Sequence, residues 1–188
     1  KETFWNRLNS ISAGLNIPIP ENIYYRYMER PLAGDIDQLQ RYVMETGAKL
    51  LIVDSAAPAS GEPQSDQVTN EYFRALRSLQ VTSLTIGHVA KHGREQDIFG
   101  SVFWRNMPRA NYRVIANHEP GATEFVIGVT HTKGNDTHRQ QAEGFRVNFD
   151  NENNEVHFSR ANLEDIPELA KSVSLYARLK SALSRGEM

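Results

Sequence analysis

Hydrophobic positions recur along the chain at two periods, and the changes of period mark out its elements. From Thr3 to Leu15, the residues Phe4, Leu8, Ile11 and Leu15 fall at helical spacing, and Gly14 suits a helix end. Pro18 and Pro20 interrupt the chain before a predicted strand over residues 22–28. Asp35 reads as the N-cap of a helix that carries Leu39, Val43 and Met44 and closes at Gly47. Leu50-Leu51-Ile52-Val53 is a continuous apolar run, the pattern of a strand buried on both faces of a parallel sheet, and Asp54 ends it. The polar stretch 55–67, rich in Pro, Gly and Ser, predicts a loop. Val68, Tyr72, Phe73, Leu76 and Leu79 predict the next helix, and residues 81–88 a further strand.

Helices alternating with strands in this way predict an α/β domain with a mostly parallel central sheet and helices on both faces. Beyond His88 the pattern changes. Residues 91–107 form a polar, basic loop with a short helix near Ser101. Strands over 112–116 and 125–130 flank Asn117-His118-Glu119-Pro120-Gly121, and strands over 144–149 and 155–159 flank Asn151-Glu152-Asn153-Asn154. These are two hairpin signals, so the sheet is expected to finish in antiparallel hairpins. From Asn162 the chain turns helical, with Leu175, Leu179 and Leu183 on one face. The expected organisation is therefore a core over 1–160 and a helical tail over 161–188.

Composition narrows the chemistry. The 188 residues contain no cysteine, which excludes disulfide scaffolds, thiolate metal sites and cysteine nucleophiles. Net charge is −2, so any nucleic-acid surface has to be a local patch. No apolar run approaches the roughly 20 residues that cross a bilayer.

Asp54 is the first candidate. An aspartate at the carboxyl end of a parallel strand stands where open α/β sheets bind ligands. Followed by Ser55, it has the Walker B pattern, whose carboxylate holds Mg²⁺ through water; equally, it can cap the next loop. His88, at the end of the next strand, reads as a sensor of bound phosphate or as a satisfied strand-end histidine. His88 and His92 have the spacing of a metal pair, but only on a helix. Lys91 suits a phosphate or DNA contact. With Arg94, Arg105, Arg109 and Arg113, and with Phe99, Phe103, Trp104 and Tyr112 interleaved, it forms a basic aromatic stretch. Single-strand binding uses that combination, although a solvated surface has it too. Lys133, in Thr130-His131-Thr132-Lys133-Gly134-Asn135, and Arg139 are cations on a strand-end loop. GxSxG, GxxxxGK[ST] and GxGxxG are all absent.

Taken in order, LLIVDSAAPASG, YFRALRSLQVTSLTIGHVAKHG, FGSVFWRNMPRANYRVI and THTKGND resemble the RecA-like ATPase core, specifically its RepA-type branch of hexameric replicative helicases. The resemblance implies ATP and Mg²⁺ as cofactors, single-stranded DNA and a homo-oligomeric, hexameric ring as partners, and a cytoplasmic location. It implies that Asp54 orients Mg²⁺ through water, with Ser55 and Lys91 beside the nucleotide, and that His88 senses the γ-phosphate. It further implies that Lys133 and Arg139 act on a neighbouring subunit's nucleotide, and that Lys91, Arg94 and Arg105 contact DNA. Ser101, Arg109 and Asn135 would stabilise loops or the subunit interface. In that family the phosphate loop and a catalytic glutamate precede a helix like the first one here. The chain is thus expected to be the later part of such a core, with the end 170–185 resembling the first helix of a truncated winged-helix module. The missing phosphate loop also fits an alternative, a non-hydrolysing DNA-binding or assembly scaffold with a RecA-like fold.

Overall fold

Among the described residues two sheets organise the chain, one parallel with two strands and one antiparallel with four, and helices make it an α/β protein. The computed structural model describes residues 1–89 and 100–163, together with 170, 175, 176 and 183. Two compact units result: Asn22–Pro108, and Lys1–Glu21 joined with Arg109–Met188. No described helix is long and apolar enough to cross a membrane.

In the unit Asn22–Pro108, strands β1 (Leu50–Asp54) and β2 (Thr82–Ile86) pair in parallel, with Leu50 opposite Thr82 and Asp54 opposite Ile86. The connection carries the short helix α3 (Ala56–Ser60) and the longer α4 (Asp66–Ser78). The expected polar loop 55–67 therefore contains a helical turn. Ser65 starts α4 by accepting the N–H of Val68 at 3.3 Å, with Asp66 in the first turn and Arg77 in the last, as the helix dipole favours. Thr69, Tyr72, Phe73 and Leu76 recur at helical spacing and are buried. The Trp104 ring lies 5.0 Å from Tyr72 and 5.2 Å from Phe73, and its Nε1–H donates to the Pro63 carbonyl at 3.0 Å. Trp104 belongs to the short helix α5 (Phe103–Asn106). The core is completed by Leu32, by Leu39 and Val43 of α2 (Ile36–Thr46), and by Leu79.

Three expectations need correction here. Residues 22–28 form no strand; the segment is irregular and held through its side chains. Arg26 donates to Asp35 at 2.6 Å and to Gln38 at 3.2 Å, and its guanidinium stands 5.9 Å from the Tyr42 ring. Asp35 is the N-cap residue of α2, as expected, its carboxylate taking Arg26 in place of a helix N–H. The sheet is not mostly parallel either: among the described residues only β1 and β2 pair in parallel, and the antiparallel strands form a sheet of their own instead of finishing this one. Finally, β1 is not buried on both faces. Leu51 and Val53 pack on the core, while Leu50 and Ile52, with Leu84 and Ile86 beside them, are between 42% and 56% exposed. A continuous apolar run has no alternation, so it leaves the number of covered faces undetermined.

In the other unit, β3 (Ala110–Asn117), β4 (Glu124–Gly134), β5 (Glu143–Asp150) and β6 (Glu155–Ala161) form an antiparallel meander in sequence order. Both hairpins stand where the turn residues place them. Between β3 and β4 the register shifts: Tyr112 faces His131 and Asn111 faces Lys133, leaving Thr132 as the extra residue of a bulge. Val126, Val147 and Leu163 are buried in this unit.

Helix α1 (Glu2–Leu15) packs on β6. It ends at Asn16, which takes the left-handed conformation (φ 54°) and donates its N–H to Ala13. The expected stop, Gly14, has a different job. A Cβ at position 14 would stand 2.2 Å from the Val156 carbonyl oxygen, so only glycine lets the helix approach the strand this closely. The contact is sealed by His157, whose Nδ1–H donates to the Gly14 carbonyl at 3.2 Å. The expected helix over 170–185 lies, apart from residues 170, 175, 176 and 183, outside the described residues.

Candidate functional site

Because β1 and β2 run in parallel, their carboxyl ends lie side by side, and two candidates leave from there. Asp54 is the last residue of β1, and His88 follows two residues after its partner Ile86. Alternation puts Asp54 on the exposed face with Ile52 and Ile86. Both Asp54 and His88 are exposed, and Ser55 is half-buried. Ser55 begins α3 with its carbonyl, which accepts the Ala59 N–H at 3.2 Å, and its hydroxyl makes no capping bond. The Asp54–Ser55 peptide is cis. One carboxylate and one hydroxyl at an open strand end suit Mg²⁺, which keeps most of its waters and takes few protein ligands.

The second group gathers at the end of β4. Lys133 is half-buried opposite Asn111, and Gly134 lies opposite Ala110. The Asn135 N–H donates to the Arg109 carbonyl at 2.9 Å, and the Arg109 guanidinium meets Asp136 at 3.1 Å. Both side chains of that pair are well exposed, so it contributes little to stability. His131, 4% exposed, stacks on Tyr112 with ring centres 4.7 Å apart, and its Nδ1 accepts the Gln140 N–H at 3.2 Å. Arg139 precedes that anchor and is exposed. Arg109, Lys133, Asn135 and Arg139 are thus brought to one strand-end loop.

The remaining candidates are placed differently. Ser101 is buried; its hydroxyl donates to Asp66 and accepts the Phe103 N–H at 3.1 Å, while its own N–H bonds the Pro63 carbonyl at 2.8 Å. It ties the chain entering α5 to the first turn of α4. Arg105 is exposed on α5, and Arg113 is half-buried on β3. Lys91, Arg94, His92 and Phe99 lie outside the described residues. Of the aromatic side chains interleaved with these cations, Trp104 is core and has no face to offer a base. Tyr112 gives one face to His131 and is 52% exposed overall.

Two features escaped the sequence reading. One is the buried His131, whose flanking threonines give no sign of an aromatic partner 19 positions earlier. The other is Asp150, Glu155 and His157, whose ligand atoms lie within 4.8 Å of one another. Glu155 is the cross-strand partner of Asp150, and His157 is on the same face two residues on. A nitrogen and two carboxylates are a donor set for a divalent transition metal. Asp150 is already engaged, however. Its Oδ2 takes the Asn153 side-chain amide at 2.8 Å, and its Oδ1 takes the backbone N–H groups of Asn153 and Glu152 at 3.1 and 3.0 Å. The Asn153 amide and N–H hold the Asp150 carboxyl below its ordinary range. The turn residues Asn151–Asn154 were legible as a turn, but this use of the preceding aspartate was not.

No protein-family model and no curated protein matches the chain.

Proposed function

We propose that the chain is part of an ATP-hydrolysing RecA-like motor that acts on DNA, in the manner of a replicative helicase. The observation that carries this reading is the parallel pairing of β1 with β2, with Asp54 and His88 at the same carboxyl end. Open α/β sheets bind nucleotides at such strand ends. In this reading Asp54 orients Mg²⁺ through water, Ser55 supports it, and His88 senses the γ-phosphate. When bound, the ion offsets the charge that develops on the transferred phosphoryl group.

Lys133 and Arg139 are the cations offered to a neighbouring subunit's nucleotide, on a loop held by Arg109 and Asn135. Lys91, Arg94 and Arg105 contact single-stranded DNA, and the working assembly is a ring, proposed as hexameric. These 188 residues contain no GxxxxGK[ST], so in this reading they supply the metal-orienting and sensing side chains and not the phosphate-binding loop.

The test is steady-state ATP hydrolysis by the full gene product. Asp54→Asn removes the metal-orienting charge from an exposed position, so the protein stays folded and turnover falls at least tenfold. Turnover equal to wild type removes Asp54 from the site. Absence of DNA-stimulated ATP turnover in the wild-type protein favours the non-hydrolysing scaffold.

A further inference from the structure

His131 is buried, yet nothing in the role proposed for its loop uses it. Its chemistry is fixed by its neighbours. Nδ1 accepts the Gln140 N–H, so the ring is neutral and carries its proton on Nε2. That Nε2 is buried without a hydrogen-bond partner. A phenylalanine or leucine would fill much of the same space and leave no orphaned donor. Buried polar groups kept at such a cost call for a reason.

The geometry supplies one. Gly134 lies against the ring edge: a Cβ there would stand 2.8 Å from Cε1 and 3.0 Å from Nε2 of His131. The chain leaves the imidazole at Gly134, runs through Asn135 to Arg139, and returns to the same imidazole at Gln140. Each contact is immediately next to a cation: Lys133 precedes Gly134, and Arg139 precedes Gln140. Stacking on Tyr112 holds the ring itself, at an interplanar angle of 15°. One side chain therefore fixes the loop backbone beside both positive charges.

We infer that His131 is the positioning residue for Lys133 and Arg139, setting the separation at which the two cations are presented to a phosphate. This inference rests on the nucleotide role proposed above for that loop. Only an acceptor at the Nδ1 position can hold Gln140, which explains why a ring with an uncompensated N–H stands here.

Two variants separate this from simple packing. His131→Phe keeps the ring and its stacking but cannot accept the Gln140 N–H. His131→Asn loses the ring but carries an oxygen close to the place of Nδ1. In amide hydrogen exchange on the 188-residue chain, His131→Phe is expected to speed exchange at Gln140 at least tenfold. Val129 and Phe145, within the sheet, report that the fold is retained. His131→Asn should restore most of the protection. In the full gene product, His131→Phe should lower kcat severalfold, leave KM for ATP within about twofold, and be rescued in part by His131→Asn; cations that act on the transition state give this split.

Unchanged Gln140 exchange in His131→Phe overturns the inference and leaves the nucleotide reading untouched. Faster exchange with unchanged kcat also overturns it, provided Lys133→Ala abolishes turnover. Full turnover in Lys133→Ala identifies the nucleotide role of the loop as the failed premise, and the inference falls with it.

Discussion

The Tyr72 hydroxyl of α4 and the Thr85 hydroxyl of β2 stand 2.7 Å apart, a polar link from the core helix to the parallel sheet. Burial pushes the Tyr72 phenol up to about 12, against a smaller opposing effect of the Thr85 hydrogen bond. The folded state thus keeps its proton longer than the unfolded chain does. Tyr72 is expected to stabilise the fold fully below about pH 10 and to lose that contribution as pH rises towards 12, by about 3 kcal/mol in all. Tyr72→Phe should cost about 1 kcal/mol at neutral pH and flatten this alkaline decline. Urea denaturation at pH 8 and pH 11 measures both; equal alkaline losses in the two proteins would exclude the assignment.

Gly14→Ala offers a test of opposite signs. In a free helix the change favours folding by about 1 kcal/mol. Here the new methyl meets the Val156 carbonyl, backbone that does not yield easily. The net effect is expected to be destabilising by about 1–3 kcal/mol, as overpacking generally is. A rise in thermal stability would show that α1 does not sit this close to β6.

Acid titration examines the second hairpin. The Asp150 carboxyl is held below its ordinary range by the N–H groups of its own turn. A depressed carboxyl stabilises the fold above the unfolded chain's value and loses that contribution as pH falls below about 4. Asp150→Ala should therefore be less stable than wild type at pH 6, and the gap should narrow as the pH is taken down through the acid range. A gap that stays constant with pH would mean that the carboxylate charge is not what holds the turn.

The proposed sharing of the active site between subunits predicts complementation. Asp54→Asn and Lys133→Ala proteins are each expected to be inactive alone, with ATP affinity in Lys133→Ala within a few-fold of wild type. Mixed assemblies contain some interfaces with an intact Asp54 facing an intact Lys133, so ATPase activity should partly return. No recovery, with mixed assembly verified by mass, contradicts action in trans.

Local signals account for most of what could be foreseen. The β3–β4 and β5–β6 hairpins follow from two turn clusters with strand-like residues on either side, and the buried face of α4 from the spacing of Tyr72, Phe73 and Leu76; the β4–β5 pairing and the separation of these strands from the parallel pair do not. Features set by distant partners were not legible. Ile23 and Tyr25 alternate like strand residues, yet this segment pairs with no strand and is tied instead to Asp35, Gln38 and Tyr42. Ala56–Ser60 hides in a loop-like composition because a single helical turn needs little propensity. The placement of Asp54 and His88 at neighbouring strand ends was legible from the apolar runs before them, whereas His131 is placed only through Tyr112, Gly134 and Gln140.

The pairing of α1 with β6 also bears on how the chain is made. His157 and Gly14, whose hydrogen bond closes that contact, are 143 residues apart in sequence. At ribosomal rates of about 5–20 residues per second, α1 emerges about 7–30 s before its partner strand exists. Every tertiary contact within Asn22–Pro108 can form during that interval, so this unit can be complete before α1 meets its partner strand. Nascent-chain folding should then be out of sequence order, with α1 docking on β6 only after the contacts within Asn22–Pro108 have had time to form.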